Sequence, residues 1–175
     1  MEAHNVMNEP QKTMNELQKT LIGNGVAAAP ERILEALDEA TTHRCLAGAP
    51  HTIYEEVWHL AFWQEISLKW IEGDAVPFPG HAAEGFPPAD GGEPWETLCH
   101  RFLAGTERAA ELAGDAQKMA ARVVCPTRPG IDPRTCPALE QMESLAAHNT
   151  YHLGRIVLLR QIFGCWPPPA GGDTW

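Results

Sequence analysis

The sequence predicts an all-α protein, a four-helix bundle in which a long connection joins the second and third helices. Proline and glycine concentrate in three stretches, 73–94, 126–137 and 164–172, and such clusters interrupt regular elements. Between them lie long segments rich in Ala, Leu, Glu and Arg, without strand-like alternation. The chain has 175 residues, so we expect a single domain over 1–175 with one substantial core.

The first two helices are predicted from composition and from their end signals. The first covers roughly 10–40, and Pro30 divides it into pieces. The second spans about 52–72, where Thr52 and Glu55 have the spacing of a capping box. In that motif each side chain satisfies a free backbone N–H at the start of the helix.

The last two helices follow the proline-rich stretches. The third is predicted over about 94–121, with Pro94 in the first turn, where proline is tolerated. The fourth begins near Pro137 and ends at Gly164. About twenty residues connect the second helix to the third, which is long for a compact domain. This length indicates that the two helices are not neighbours, or that the connection covers something.

Composition excludes several functional classes. A formal net charge of −10 argues against nucleic-acid binding, which requires clustered Lys and Arg. No apolar run approaches a membrane span, and the first residues do not resemble a secretory signal. The five cysteines are odd in number and lack Cys-x-x-Cys spacing, as expected of reduced thiols. We therefore expect a cytoplasmic protein without nucleic-acid or membrane partners.

The fourth helix has two histidines on its predicted core face. That face is spaced by 3, 4, 4 and 3 residues and comprises Leu145, His148, His152, Ile156 and Leu159. The histidines thus stand where the pattern expects leucine. A spacing of four places their rings one above the other, close enough for one metal ion to bridge them.

The second helix carries a histidine on a similarly apolar face, made of His59, Phe62, Trp63, Ile66 and Trp70. A single histidine on such a face is more often a hydrogen-bonded core residue, and the spacing of four also arises by chance. Three imidazoles in one core, however, need polar partners, and a metal satisfies all three. We predict that His59, His148 and His152 bind one divalent transition metal.

The neighbouring polar residues allow more than one role. Glu55 is an acid, a base or a fourth ligand, although its capping role explains it better, and Glu56 is expected to be solvated. Trp63, Tyr151 and Arg155 are the candidates for substrate binding. Trp63 is equally explained as core, and Arg155 as a salt bridge to a neighbouring helix.

Several familiar catalytic arrangements are missing from the sequence. Asn149 follows His148, where the His-Glu-x-x-His motif of metalloproteases has its general base. No Gly-rich phosphate loop and no Gly-x-Ser-x-Gly motif occurs. No catalytic residue is therefore assigned. Three nitrogen ligands leave at least one coordination position open for water or substrate.

The chain resembles the DinB-like superfamily in two segments, 53–64 (IYEEVWHLAFWQ) and 148–168 (HNTYHLGRIVLLRQIFGCWPP), and in its ending GGDTW. The resemblance implies a four-helix bundle with helix order 1-2-4-3. It also implies a zinc or nickel site carried by His59, His148 and His152. Relatives include transferases and isomerases that use low-molecular-weight thiols such as bacillithiol or mycothiol, and dimers are frequent, so a homodimer is expected.

The sequence is compatible with two functions, and also with a third case in which the histidines have only a structural role. The first is a metal-dependent enzyme that activates a thiol or water for transfer or hydrolysis on a small molecule. The second is a metal- or ligand-binding protein without turnover. The sequence does not identify the substrate or choose between zinc and nickel.

Overall fold

The computed structural model describes residues 14–23, 27–89 and 91–171. Within these ranges the chain is mostly helical, which confirms the predicted fold class. The α-helices are α1 Glu16–Ile22, α2 Pro30–Leu34, α3 Glu39–Thr42, α4 Ile53–Ile71, α5 Trp95–Ala113, α6 Ala116–Ala120 and α7 Ala138–Phe163. A 3-10 helix spans Ala82–Gly85, and an antiparallel pair of strands comprises β1 Arg122–Cys125 and β2 Arg134–Pro137. None of the described helices is long and apolar enough to cross a membrane.

The start of α4 has the capping box that the sequence predicts. The Thr52 side chain accepts a hydrogen bond from the Glu55 N–H at 3.2 Å, and Glu55 Oε2 accepts from the Thr52 N–H at 2.7 Å. These two bonds satisfy donors that the first helical turn leaves free. Glu55 is therefore a capping residue at the amino end of α4.

The predicted first and third helices are each divided. The predicted helix over 10–40 is replaced by the short helices α1 to α3, and residues 10–13 lie outside the described part of the chain. The helix predicted over 94–121 ends at Ala113. Asp115 then caps α6 by accepting hydrogen bonds from the N–H groups of Gln117 and Lys118.

One short antiparallel hairpin was not predicted from the sequence. Val123 pairs with Cys136, and Cys125 pairs with Arg134 across an antiparallel hairpin. Each strand has only four residues, too few to show an alternating pattern, and the second lies in the proline-rich stretch that suggested a loop. Backbone pairing between the two short strands compensates for their weak individual preference.

The arrangement of the helices differs from the expected order 1-2-4-3. α4 packs against both α5 and α7, whereas α5 and α7 barely touch, so the second and third predicted helices are neighbours. A Cβ atom at Gly105 of α5 would lie 2.3 Å from Gln64 Nε2 of α4, so the absence of a side chain permits this close approach. The connection between α4 and α5 nevertheless covers α4, because its 3-10 helix packs on that helix.

Apolar packing sets the relation between α4 and α7. Leu60 of α4, Phe102 of α5 and Ile156 of α7 are fully buried in one cluster. Leu68 of α4 and Leu145 of α7 belong to a second buried cluster that also includes the hairpin. Burying these side chains holds the two helices in a register that brings their histidines together.

Candidate metal centre

The three predicted histidines converge between α4 and α7. His59 comes from α4, and His148 and His152 come from successive turns of α7. One ring nitrogen from each residue lies within 4.8 Å of the other two. The Nε2 atoms of His59 and His148 lie 3.2 Å apart. The remaining members of the predicted α7 stripe are buried, as the spacing indicated.

A backbone carbonyl of the α4–α5 connection orients His59. The Nδ1 atom of His59 lies 3.2 Å from the carbonyl oxygen of Gly85. A carbonyl oxygen only accepts, so Nδ1 carries the proton and Nε2 directs its lone pair at the cluster. A Cβ atom at Gly85 would lie 3.2 Å from both His59 Nδ1 and Trp63 Nε1. Glycine therefore allows the backbone to approach the ring, on which Phe86 also stacks.

A buried carboxylate orients His152. Glu56 is fully buried, and its Oε2 atom accepts from His152 Nδ1 at 2.6 Å. The Nε2 atom of His152 is therefore the ring nitrogen left for a metal. Arg155 Nη2 lies 2.8 Å from Glu56 Oε1, so this carboxylate has a positive partner. The expectation that Glu56 is solvated was wrong, and Arg155 makes the salt bridge to a neighbouring helix that the sequence left open.

His148 lacks a corresponding partner. Its Nδ1 atom is buried and has no hydrogen-bond partner among the described residues. Burial, together with the nearby His152 and His59, lowers the pKa of His148 to about 4. Burial also lowers the pKa of His59, and repulsion from a protonated His152 lowers it further. Both rings are therefore neutral near neutral pH, which is the form that binds metals.

The donor set fits one divalent transition metal. When all three rings are neutral, which is the form that binds a metal, His59 and His152 direct lone pairs at the cluster. A neutral His148 has one N–H and can donate it to only one of them. Nitrogens bound at 2.0–2.1 Å to a tetrahedral zinc ion lie roughly 3.3 Å apart. The 3.2 Å between His59 Nε2 and His148 Nε2 matches that separation. A cation among the three rings would satisfy lone pairs that protein donors do not.

A cavity of about 300 Å³ adjoins the cluster. His148 and Trp63 are among the residues that line it. Tyr151 and Arg155 are not among its lining residues. The Tyr151 side chain is 63% exposed and meets the His152 ring edge-on. The structure therefore associates Tyr151 and Arg155 with His152 rather than with the cavity.

Two residues that orient the histidines were not predicted from the sequence. Glu56 lies between Ile53 and Leu60 at helical spacing, and this pattern already places it on the buried face of α4. Gly85 gave no such signal, because its role depends on the path of an irregular connection. A third unpredicted feature is the contribution of the hairpin, whose residues Cys125 and Arg134 line the cavity.

The family model of the DinB superfamily matches residues 26–156. The chain belongs to the DinB superfamily. The matched span contains α4 and most of α7, and hence all three histidines of the cluster. Neither the curated proteins nor the solved structures gave a match to this DinB-superfamily chain.

Proposed function

We propose that this protein is a metal-dependent enzyme in which His59, His148 and His152 bind one zinc or nickel ion. The open coordination position would take a thiol or water that reacts with a small molecule. The main support for the proposal is the convergence of three ring nitrogens within 4.8 Å. In two of these rings the other nitrogen has an acceptor: the Gly85 carbonyl for His59 and the Glu56 carboxylate for His152. Such partners for coordinating histidines are typical of metal sites.

The composition of the cluster supports a reactive site over a closed structural one. In the described residues the group that can hold the ion contains three histidines and no cysteine or carboxylate. Catalytic zinc sites commonly combine three protein ligands with one exchangeable position, whereas structural sites use four. A metal bound here would lower the pKa of the water or thiol that it coordinates.

The surrounding residues have defined tasks in this proposal. Glu56 retains the proton on His152 Nδ1, and the Gly85 carbonyl does the same for His59, so both rings keep the tautomer and orientation that coordination requires. Arg155 compensates the buried charge of Glu56. The cavity beside His148 would hold the substrate within reach of the centre.

Metal content tests the first half of the proposal. Protein purified without chelator or affinity-tag metal should contain about one ion per chain. At one hundred times the dissociation constant, zinc should add roughly 2.7 kcal/mol to the free energy of unfolding. His152→Ala should lose both properties, whereas His100→Ala, at an exposed histidine of α5, should retain them. Less than about a tenth of an ion per chain without thermal stabilisation by zinc or nickel would contradict metal binding.

Activity assays test the second half. Metal-loaded protein should either conjugate a low-molecular-weight thiol to a small electrophile or hydrolyse a small ester or amide, and His152→Ala should do neither. One observation favours a binding protein without turnover: Glu55 and Glu56 are both engaged in the hydrogen bonds described above, which leaves neither free as a general acid or base. Tight metal binding without activity in either assay would support that alternative.

A further inference from the structure

The cavity beside His148 has an aromatic wall that suits a flat apolar group. Trp63 and Phe78 lie with ring centroids 5.2 Å apart, and Trp70 is roughly parallel to Phe78 at 6.3 Å. The Trp70 N–H donates to the Val76 carbonyl at 2.8 Å, so its polar atom is already satisfied. These rings present mainly carbon surface to the cavity, and aromatic surface favours stacked or edge-on contact with another ring.

One lining residue of this cavity carries a permanent charge, Arg134 of β2. Its Nη2 atom donates to Gln141 Oε1 at 2.8 Å. Across residues 14–23, 27–89 and 91–171, it forms no ion pair with a carboxylate. A guanidinium has five N–H donors in a planar fork, so most of its donors remain for a ligand.

Arg134 is itself exposed, and a buried amide positions its side chain at the cavity. Gln141 is 7% exposed and Ser67 is 5% exposed. Gln141 Nε2 donates to Ser67 Oγ at 3.2 Å, while its Oε1 atom accepts from Arg134 and from Cys125 Sγ. Ser67 thus acts as an acceptor in this chain of bonds, and its own hydroxyl proton is available to a group in the cavity. The arrangement presents hydrogen-bond donors to the cavity, and donors of this kind suit an anion.

We infer that the cavity binds a substrate with a flat apolar body and a carboxylate, and that the carboxylate pairs with Arg134. This inference rests on the proposed function, because it names the substrate class of the centre that His148 belongs to. A carboxylate matches the guanidinium fork in charge and in planar geometry. The apolar body of the substrate packs against the aromatic wall. In this position it lies in the cavity between Arg134 and His148.

Binding of cinnamate and of its neutral analogue cinnamamide to metal-free protein tests the inference. Dissociation constants can be measured by NMR titration for the unmodified protein, Arg134→Gln and Arg122→Gln. Arg122 is the matched control, because it is an exposed arginine of the same hairpin and its side chain bonds to a backbone carbonyl outside the cavity. We expect the unmodified protein to bind cinnamate about tenfold more tightly than cinnamamide. Arg134→Gln should abolish that preference and Arg122→Gln should retain it.

The outcomes separate this inference from the metal proposal. Equal binding of the two probes, binding of neither, or an unchanged preference in Arg134→Gln would overturn the role of Arg134. A preference that appears only after zinc is added and survives Arg134→Gln would place the carboxylate on the metal and would also overturn it. If the preference depends on Arg134 but the protein binds no zinc or nickel, the inference stands and the metal proposal fails. Melting curves of both variants verify that each is folded.

Discussion

Helices α4 and α7 meet at two sets of polar side chains, which differ in how many of their polar atoms have hydrogen-bond partners within the set. In the amide set, Gln64, Thr106 and Asn149, the Gln64 Nε2 atom donates to the Phe102 carbonyl at 2.8 Å. Gln64 Oε1 accepts from Thr106 and Asn149, so within the described residues Asn149 Oδ1 is the one buried atom of this set without a partner. In the histidine set, His59, His148 and His152, ring nitrogens face one another without another protein donor between them, and the buried His148 Nδ1 lacks a partner among the described residues.

This difference in hydrogen bonding distinguishes the amide set, which has a structural role, from the histidine set, which has a role in ligand binding. Buried polar atoms that bond to each other stabilise a particular packing of helices. Buried atoms that do not bond to each other lower stability unless a ligand completes them. Asn149 and His148 are consecutive on α7 yet belong to different sets, so position on a helix face decides the role. Four substitutions or changes of condition test this distinction.

The largest effect is expected in the amide set. Gln64→Leu removes both ends of the buried amide and leaves the Asn149 side-chain N–H without its acceptor, while Thr106 keeps its bond to the Phe102 carbonyl. We expect a loss of about 3 kcal/mol in the free energy of unfolding, measured by urea denaturation, with or without zinc. The stabilisation added by zinc should be unchanged. Glu65→Leu, at the exposed neighbouring position, should change stability by less than about 0.5 kcal/mol. A similar loss in both variants would show that Gln64 has no special role.

The next effect concerns metal affinity. Glu56→Gln removes the charged acceptor of the His152 Nδ1 proton, so zinc affinity should fall roughly tenfold to a hundredfold. Competition with a chromophoric chelator measures this change. Glu65→Gln removes an exposed carboxylate of the same helix and should leave the affinity unaltered. An equal affinity in Glu56→Gln and the unmodified protein would mean that the carboxylate does not support the centre.

A smaller effect of opposite sign is expected in the metal-free histidine set. His148→Leu replaces a half-buried imidazole that has an unpartnered nitrogen by an apolar side chain. The metal-free protein should gain about 1 kcal/mol in the free energy of unfolding, while zinc no longer stabilises it. Urea denaturation with and without zinc measures both quantities. Destabilisation of the metal-free protein comparable to that of Gln64→Leu would make the two sets equivalent.

The last test is a pH dependence of the metal-free protein. The folded-state pKa of His148 is about 4, below the ordinary value of 6.5, because the ring is buried near His152 and His59. As pH falls below about 6.5, the unfolded chain binds a proton that the folded chain does not, so metal-free stability decreases. This contribution levels off below pH 4. His148→Leu should show a shallower decline between these values in thermal melts at a series of pH values, and identical slopes would contradict the assignment.

The histidine cluster could be predicted because the signal is local and periodic. The positions of His148 and His152 within an apolar stripe predict which way they face on α7. The amino end of α4 was equally predictable, because Thr52 and Glu55 lie within one turn of each other. The direction of the α7 histidines follows from helical periodicity, and the capping box follows from a spacing of three residues. Neither prediction requires knowledge of which distant segments pack together.

The remaining features depend on contacts between distant segments. The adjacency of α4 and α5 follows from the fit of Gln64 against Gly105, which no single segment reveals. The partner of His59 is a backbone carbonyl at Gly85, and a backbone atom has no signature in the sequence. The hairpin strands are too short for periodicity, so Arg134 could not be placed beside the cluster. Glu56 is the exception, because its place in the stripe was visible and its charge suggested solvent.

X-ray absorption at the zinc edge of the zinc-loaded protein tests the central claim most directly. We predict that the zinc is coordinated by three imidazole nitrogens at about 2.0–2.1 Å and by one further light atom. In His148→Leu, any zinc that remains bound should have one imidazole fewer. Sulfur scattering at about 2.3 Å, or a shell with a single imidazole, would contradict it. Either result would mean that the ion binds elsewhere and that the three histidines are not its ligands.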